Sequence, residues 1–157
     1  MNNQFLTMKS QIKSELNEIA TVVNRIEKAW QKQQKTADEL YLDSVALNLH
    51  SFYAGFERIF ELIAREIDGS IPDGSAWHQN LLRQMSIEIE KVRPQIISKK
   101  TQEKLDEYRS FRHVIRNIYS FNISKDKLKP LVENINHTFK DADKDINIFL
   151  NEMEAEG

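Results

Sequence analysis

Residues 40–67 read LYLDSVALNLHSFYAGFERIFELIAREI. Apolar side chains fall at Leu40, Val45, Leu49, Phe52, Phe56, Ile59, Phe60, Ile63 and Ile67. From Val45 onward almost every step is three or four, which lays one stripe along a helix and leaves no strand-like alternation. The spacing predicts a helix from about Thr36 to Ile67. Its apolar density exceeds that of any other segment, so its expected place is the middle of a helical bundle.

The same reading extends in both directions. Toward the N-terminus, Phe5, Met8, Ile12, Leu16, Ile19, Val23, Ile26 and Trp30 recur at steps of three and four and predict a helix over 3–34, closed by the polar run QKQQK. Toward the C-terminus, DGSIPDGS at 68–75 holds two glycines, a proline and two aspartates and reads as a loop. A third helix is expected over 75–92, SAWHQNLLRQMSIEIEKV, with Ser75 as its N-cap. Pro94 limits that helix because it disfavours helical backbone at Arg93. A fourth helix is expected from about Ser98 to Phe121. A fifth follows Ser124 with the stripe Leu128, Leu131, Ile135, Phe139, Ala142, Ile146, Phe149 and Met153. Pro130 lies near its start, where a missing N–H costs least, and the tail EMEAEG is expected to fray. The fold expected is all-α, an antiparallel bundle of about five helices, with residues 1–157 forming a single domain.

Composition narrows the function classes. The 157 residues suffice for a core without disulfides. Cysteine is absent, so disulfide scaffolds, thiolate zinc sites and thiol nucleophiles are excluded. Lysine and arginine number 22 against 24 aspartates and glutamates, a net charge of −2, which does not suit a general nucleic-acid coat protein. Contact with nucleic acid would need a local patch. No run approaches the roughly 20 apolar residues of a membrane helix. The start, MNNQFLTMKSQIKSEL, has no signal-peptide pattern, so no membrane association and a cytoplasmic location are expected. No P-loop, nucleotide fingerprint or HExxH motif occurs, and neither a cofactor nor a metal is expected.

One stretch concentrates chemistry: RSFRHVIRNIYSF, residues 109–121. With Arg112 at zero on a helical wheel, Tyr119 lies at about −20°, Arg116 at about +40°, Arg109 at about +60°, His113 at about +100° and Asn117 at about +140°. Tyr108, Ile115, Phe111, Ile118 and Val114 occupy the opposite arc. The polar arc holds no carboxylate between Arg109 and Tyr119, although elsewhere the chain mixes signs, as in KKTQEKLDEY. Two readings stay open. The arc awaits an anion or an acidic partner surface, or glutamates from a neighbouring helix neutralise it.

The string FRHVIRNIYSF resembles the motif region of HepT-like proteins in the HEPN superfamily. Their motif is an arginine, a polar residue, a short spacer and a histidine, with a tyrosine two positions later. Arg112 takes the arginine position, His113 the polar one, Asn117 the histidine position and Tyr119 the tyrosine position. SAWHQNLLRQM at 75–85 resembles the helix that precedes the motif helix in the same proteins. The resemblance implies a toxin of a type II or VII-like toxin–antitoxin system. Such a toxin is a homodimeric, metal-independent endoribonuclease, in which the RNA 2′-hydroxyl attacks the adjacent phosphorus. It also implies a minimal nucleotidyltransferase antitoxin that silences the toxin by AMPylating Tyr119.

Asn117 departs from that pattern. Arginine stays protonated at any working pH, so Arg112 can grip the scissile phosphate but cannot move a proton; Arg109 and Arg116 would add phosphate and RNA binding. Proton transfer calls for a group titrating near neutrality, and asparagine does not titrate. Three outcomes follow: His113 takes over proton transfer, the protein is a slow ribonuclease, or it is a catalytically inactive helical dimer that binds RNA or protein.

The remaining candidates read blandly. His78 is expected as a capping or packing histidine, His50 as a half-buried one and His137 as a surface residue. Asp141, Asp143 and Asp145 lack the glycine and closing glutamate of a calcium loop and read as a solvated face.

Overall fold

The computed structural model describes residues 2–116 and 123–156, and only the backbone at 113, 114 and 116. Five α-helices form among these residues: α1 Asn3–Thr36, α2 Leu40–Ile63, α3 Trp77–Met85, α4 Lys99–Arg116 and α5 Lys125–Glu156. No strand forms among the described residues, and Ile89 and Arg93 make an isolated bridge. The all-α bundle expected from periodicity is the fold.

Local chemistry sets the boundaries. The Asn2 side chain accepts the Phe5 N–H at 2.8 Å and caps α1. QKQQK does not break α1, because Gln33 lies on the buried stripe; the helix ends where Ala37 turns left-handed at φ 55°. Asp38 then accepts the Leu40 N–H at 2.9 Å and starts α2. The α2 helix passes into a single π-turn, Ala64–Asp68, which Gly69 closes at φ 71°.

Side-chain contacts give the directions. Gln4 reaches Glu66, and Glu15 accepts from Arg58 at 2.7 Å, so α1 and α2 run antiparallel. Between them, a Cβ built on Gly55 would stand 2.6 Å from Ile19 Cγ1, which shows how closely the backbones approach. Glu27 with Asn136 and Lys9 with Glu154 set α5 antiparallel to α1. The latter pair also holds the expected fraying tail in helical form to Glu156. Asp145 and Asp141 reach Thr101 and Lys104, so α5 is antiparallel to α4 as well. Thus Asp141 and Asp145, two of the three aspartates in the 141–145 series, fasten helices together instead of forming a solvated face.

The core is centred on α2, as its apolar density predicts. Phe52, Tyr53, Phe56 and Phe60 are fully buried with Tyr108 and Phe149. Phe52 lies 4.9 Å from the Tyr108 ring and 5.3 Å, edge-on, from Phe56, geometries that add to area burial. The Tyr108 hydroxyl donates to the Leu131 carbonyl at 2.7 Å and ties α4 to α5.

The third helix departs most from expectation. It spans Trp77–Met85, with Ala76 at the N-cap and no side-chain cap, so Ser75 does not serve. Beyond Met85 the chain turns instead of continuing to 92, and Lys91 adopts φ 67°. The cause is Arg93, whose side chain is 0% exposed. Its guanidinium grips both oxygens of Asp68 and donates to the carbonyls of Gln84, Ile87 and Pro94. Ile87 and Val92, which mimic a helical stripe, are left exposed.

Candidate functional site

The site is built on α4, and α5 holds that helix in place. Ser98 Oγ accepts the Thr101 N–H at 3.0 Å, while Asp145 accepts from the Ser98 N–H and the Thr101 hydroxyl. These bonds satisfy the first turn of α4. Tyr108 and Leu105 are buried, and Phe111 and Ile115 pack against the core. This anchoring leaves Arg109 and Arg112 on the side of α4 that meets α2.

There Arg112 finds Glu57, a glutamate only 4% exposed in the aromatic run of α2. Arg112 Nη1 donates to Glu57 Oε1 at 2.8 Å. The other carboxylate oxygen, Oε2, meets Nδ1 of His78 at 2.7 Å. One carboxylate therefore joins the motif arginine to a histidine at the start of α3, and Trp77 lies against that ring with centroids 3.7 Å apart. His78 neither caps its helix nor simply packs; it is a partner of the Glu57 carboxylate.

The cluster is not saturated. Arg112 Nε and the Tyr53 hydroxyl are buried without a hydrogen-bond partner among the described residues. Burial pushes the Tyr53 phenol far above its ordinary range. Nearby Glu57 pushes it the same way, Arg109 opposes, Asp106 adds to the rise and Arg112 opposes. Tyr53 thus sits in the field of this cluster and stays neutral. Arg109 donates from Nε to Asp106 Oδ1 at 2.6 Å, one turn earlier on its own helix.

Both described arginines of the basic arc contact carboxylates. Arg112 uses a carboxylate from another helix, and Arg109 uses one just outside the carboxylate-free run. His113 and Arg116 lie on α4, but their side chains are outside the described residues, and so are Asn117 and Tyr119 entirely. His137 is exposed beside Asp141, and His50 is half-buried. Among the described residues no group of three or more His, Asp or Glu side chains could hold a metal ion. No described helix is long and apolar enough to cross a membrane. A groove of about 510 Å³ lies between α1 and α2, lined by Glu15, Arg58 and Arg65 among others; none of the cluster residues line it.

Glu57 and His78 were not expected at the site. A signal for Glu57 existed, because it stands four residues after Tyr53 and three before Phe60, on the face those residues bury. A carboxylate there requires a buried partner. His78 carried no such signal, since its partner is 21 residues away on another helix.

An all-helical bundle with a buried carboxylate set against a late arginine helix is the class that this fold and site define. The family model of the HepT-like protein matches residues 44–153, and the chain belongs to that family. The match spans α2 to α5 and includes Glu57, His78, Arg109 and Arg112. A solved structure, the crystal structure of the toxin-antitoxin with AMP-PNP, is similar in fold. Its TM-score is 0.57 at 20% sequence identity, over 93% of this chain and 98% of that one. No curated protein matches the chain.

Proposed function

We propose that this protein is the toxin half of a toxin–antitoxin pair and an endoribonuclease acting by 2′-hydroxyl attack. The observation that carries the proposal is Arg112. Glu57 orients its guanidinium, yet Nε has no partner among the described residues and the side chain is 16% exposed. A fixed cation with unspent donors at the edge of the core suits a phosphate whose charge grows in the transition state. Arg109 and Arg116 extend the cationic arc along the RNA backbone, and His113 and Asn117 complete the motif. Membership of the HepT-like family supports the toxin role, and the structural relative is itself a toxin-antitoxin assembly with AMP-PNP, an ATP analogue. By the same reasoning the chain works as a cytoplasmic homodimer, and a minimal nucleotidyltransferase partner silences it by transferring AMP to Tyr119.

The test is purified protein with labelled RNA. Wild type is expected to cut it and leave 2′,3′-cyclic phosphate ends, and Arg112→Ala to lose that cleavage. Intact mass after incubation with the nucleotidyltransferase and ATP is expected to rise by AMP increments, and Tyr119→Phe to show no rise. A second reading, a helical dimer that binds RNA or protein without cutting, is favoured by Asn117 at the motif's histidine position. RNA retained but uncut by wild type would establish it.

A further inference from the structure

The ribonuclease reading leaves proton transfer without the motif's usual histidine, and the cluster on Glu57 supplies a group for it. We propose that His78, oriented by Glu57, is the general base that activates the RNA 2′-hydroxyl; this rests on the ribonuclease reading above.

A carboxylate oxygen accepts and does not donate, so the 2.7 Å contact with Glu57 Oε2 assigns a proton to His78 Nδ1. In the neutral ring Nε2 then carries the lone pair, and the contact with Glu57 is made through Nδ1, which leaves Nε2 out of it. The side chain is 24% exposed, so the ring is not sealed in the core. Trp77 lies against the ring, tilted by 31° with centroids 3.7 Å apart. Nucleophile activation by a histidine that a carboxylate holds in one tautomer is a general solution in acyl and phosphoryl chemistry. The same carboxylate holds Arg112, so the base and the phosphate-gripping cation share one rigid support. Glu57 touches neither RNA nor reacting atoms and is a positioning residue. Among the described residues, the charged groups linked to this ring are Glu57 on α2 and, through it, Arg112 on α4, with the Arg109–Asp106 pair one turn earlier on α4.

His78 Nε2 takes the 2′-hydroxyl proton while O2′ bonds to phosphorus. The P–O5′ bond breaks and its electron pair leaves on O5′, which takes a proton from water. Arg112 offsets the added charge on the non-bridging oxygens. The products are a 2′,3′-cyclic phosphate and a 5′-hydroxyl, and His78 returns its proton to solvent.

His78→Gln keeps a donor for Glu57 but cannot titrate. On a labelled mixed-sequence oligoribonucleotide its cleavage rate is expected to fall by about 10²–10⁴, the usual worth of a general base. The acid limb of the pH–rate profile is expected to disappear, while Glu57→Gln displaces that limb without abolishing it. An oligonucleotide with a 5′-bridging sulfur, whose leaving group needs no proton, is expected to remain slow with His78→Gln. Restoration on that substrate would make His78 the acid and overturn the base assignment. Should His78→Gln be poorly folded by circular dichroism, added imidazole is expected to restore cleavage to His78→Gly, and no restoration would count against the proposal. If wild type cuts, Arg112→Ala does not, and His78→Gln cuts as wild type does, the His78 proposal fails alone. If wild type does not cut, the ribonuclease reading fails and takes this one with it.

Discussion

Arg93 and Arg112 each grip a carboxylate distant in sequence, and they differ in how fully their donors are used. Arg93 spends every N–H: two on Asp68, at 2.6 and 2.8 Å, and the rest on three backbone carbonyls. Its side chain and that of Asp68 are 0% and 1% exposed. Arg112 makes one bond to Glu57, leaves Nε without a partner among the described residues, and remains 16% exposed. The saturated pair has no capacity left for a ligand and serves to shape the chain after α3. The second pair leaves the Arg112 Nε donor unengaged among the described residues, beside a histidine. A buried arginine with all its donors engaged belongs to the fold, and one with donors to spare belongs to a site.

The largest expected effect concerns the saturated pair. Arg93→Ala removes a cation and leaves Asp68 buried and uncompensated, so it is expected to cost about 3–5 kcal/mol. Urea or thermal unfolding checks this, and a loss close to zero would break the distinction. Arg112→Ala is expected to cost less, about 1–3 kcal/mol, because a hydrogen bond to a charged group is lost while Glu57 keeps His78. Equal losses for the two variants would mean that both arginines are structural.

The difference between these regions also marks what could be read in advance. Helix number, the α2-centred core and the arginines of α4 follow from periodicity, because each depends on neighbours within a turn or two. The Arg93 turn could not be read, since Ile87, Ile89 and Val92 imitate a helical stripe and the deciding partner, Asp68, is 25 residues away. The site was half legible. Arg109 and Arg112 declare themselves by density of charge, whereas the Glu57 that joins Arg112 to His78 is 55 and 21 residues from them. Periodicity identifies which residues face inward but does not say which of them meet.

Next in size is Gly55→Ala, whose Cβ would meet Ile19 in the α1–α2 seam. Overpacking there is expected to cost about 1–3 kcal/mol and to leave the RNA cleavage of the folded fraction unchanged. A fall in cleavage per folded molecule would show that the site depends on the α1 seam as well as on α2 and α4.

The smallest effect belongs to a third, more exposed pair. The hydrogen bond from Lys104, opposed by burial, holds the Asp141 carboxyl below its ordinary range. A depressed carboxylate stabilises the fold above the unfolded-state range, and that contribution is lost as pH falls through the folded value. Lys104→Met is therefore expected to melt slightly lower than wild type at neutral pH, with the difference vanishing in strong acid. A difference that persists in acid would assign the effect to packing of the lysine stem.

The most direct test measures RNA cleavage per folded molecule in wild type, Arg112→Ala and Arg93→Lys, at a temperature where all three remain folded. Arg112→Ala is expected to lose about 10²–10³ in rate, the usual worth of one transition-state donor. Arg93→Lys, though less stable, is expected to cut at the wild-type rate. An Arg112→Ala protein as active as wild type, or equal losses in both variants, would contradict the division between a structural and a chemical arginine.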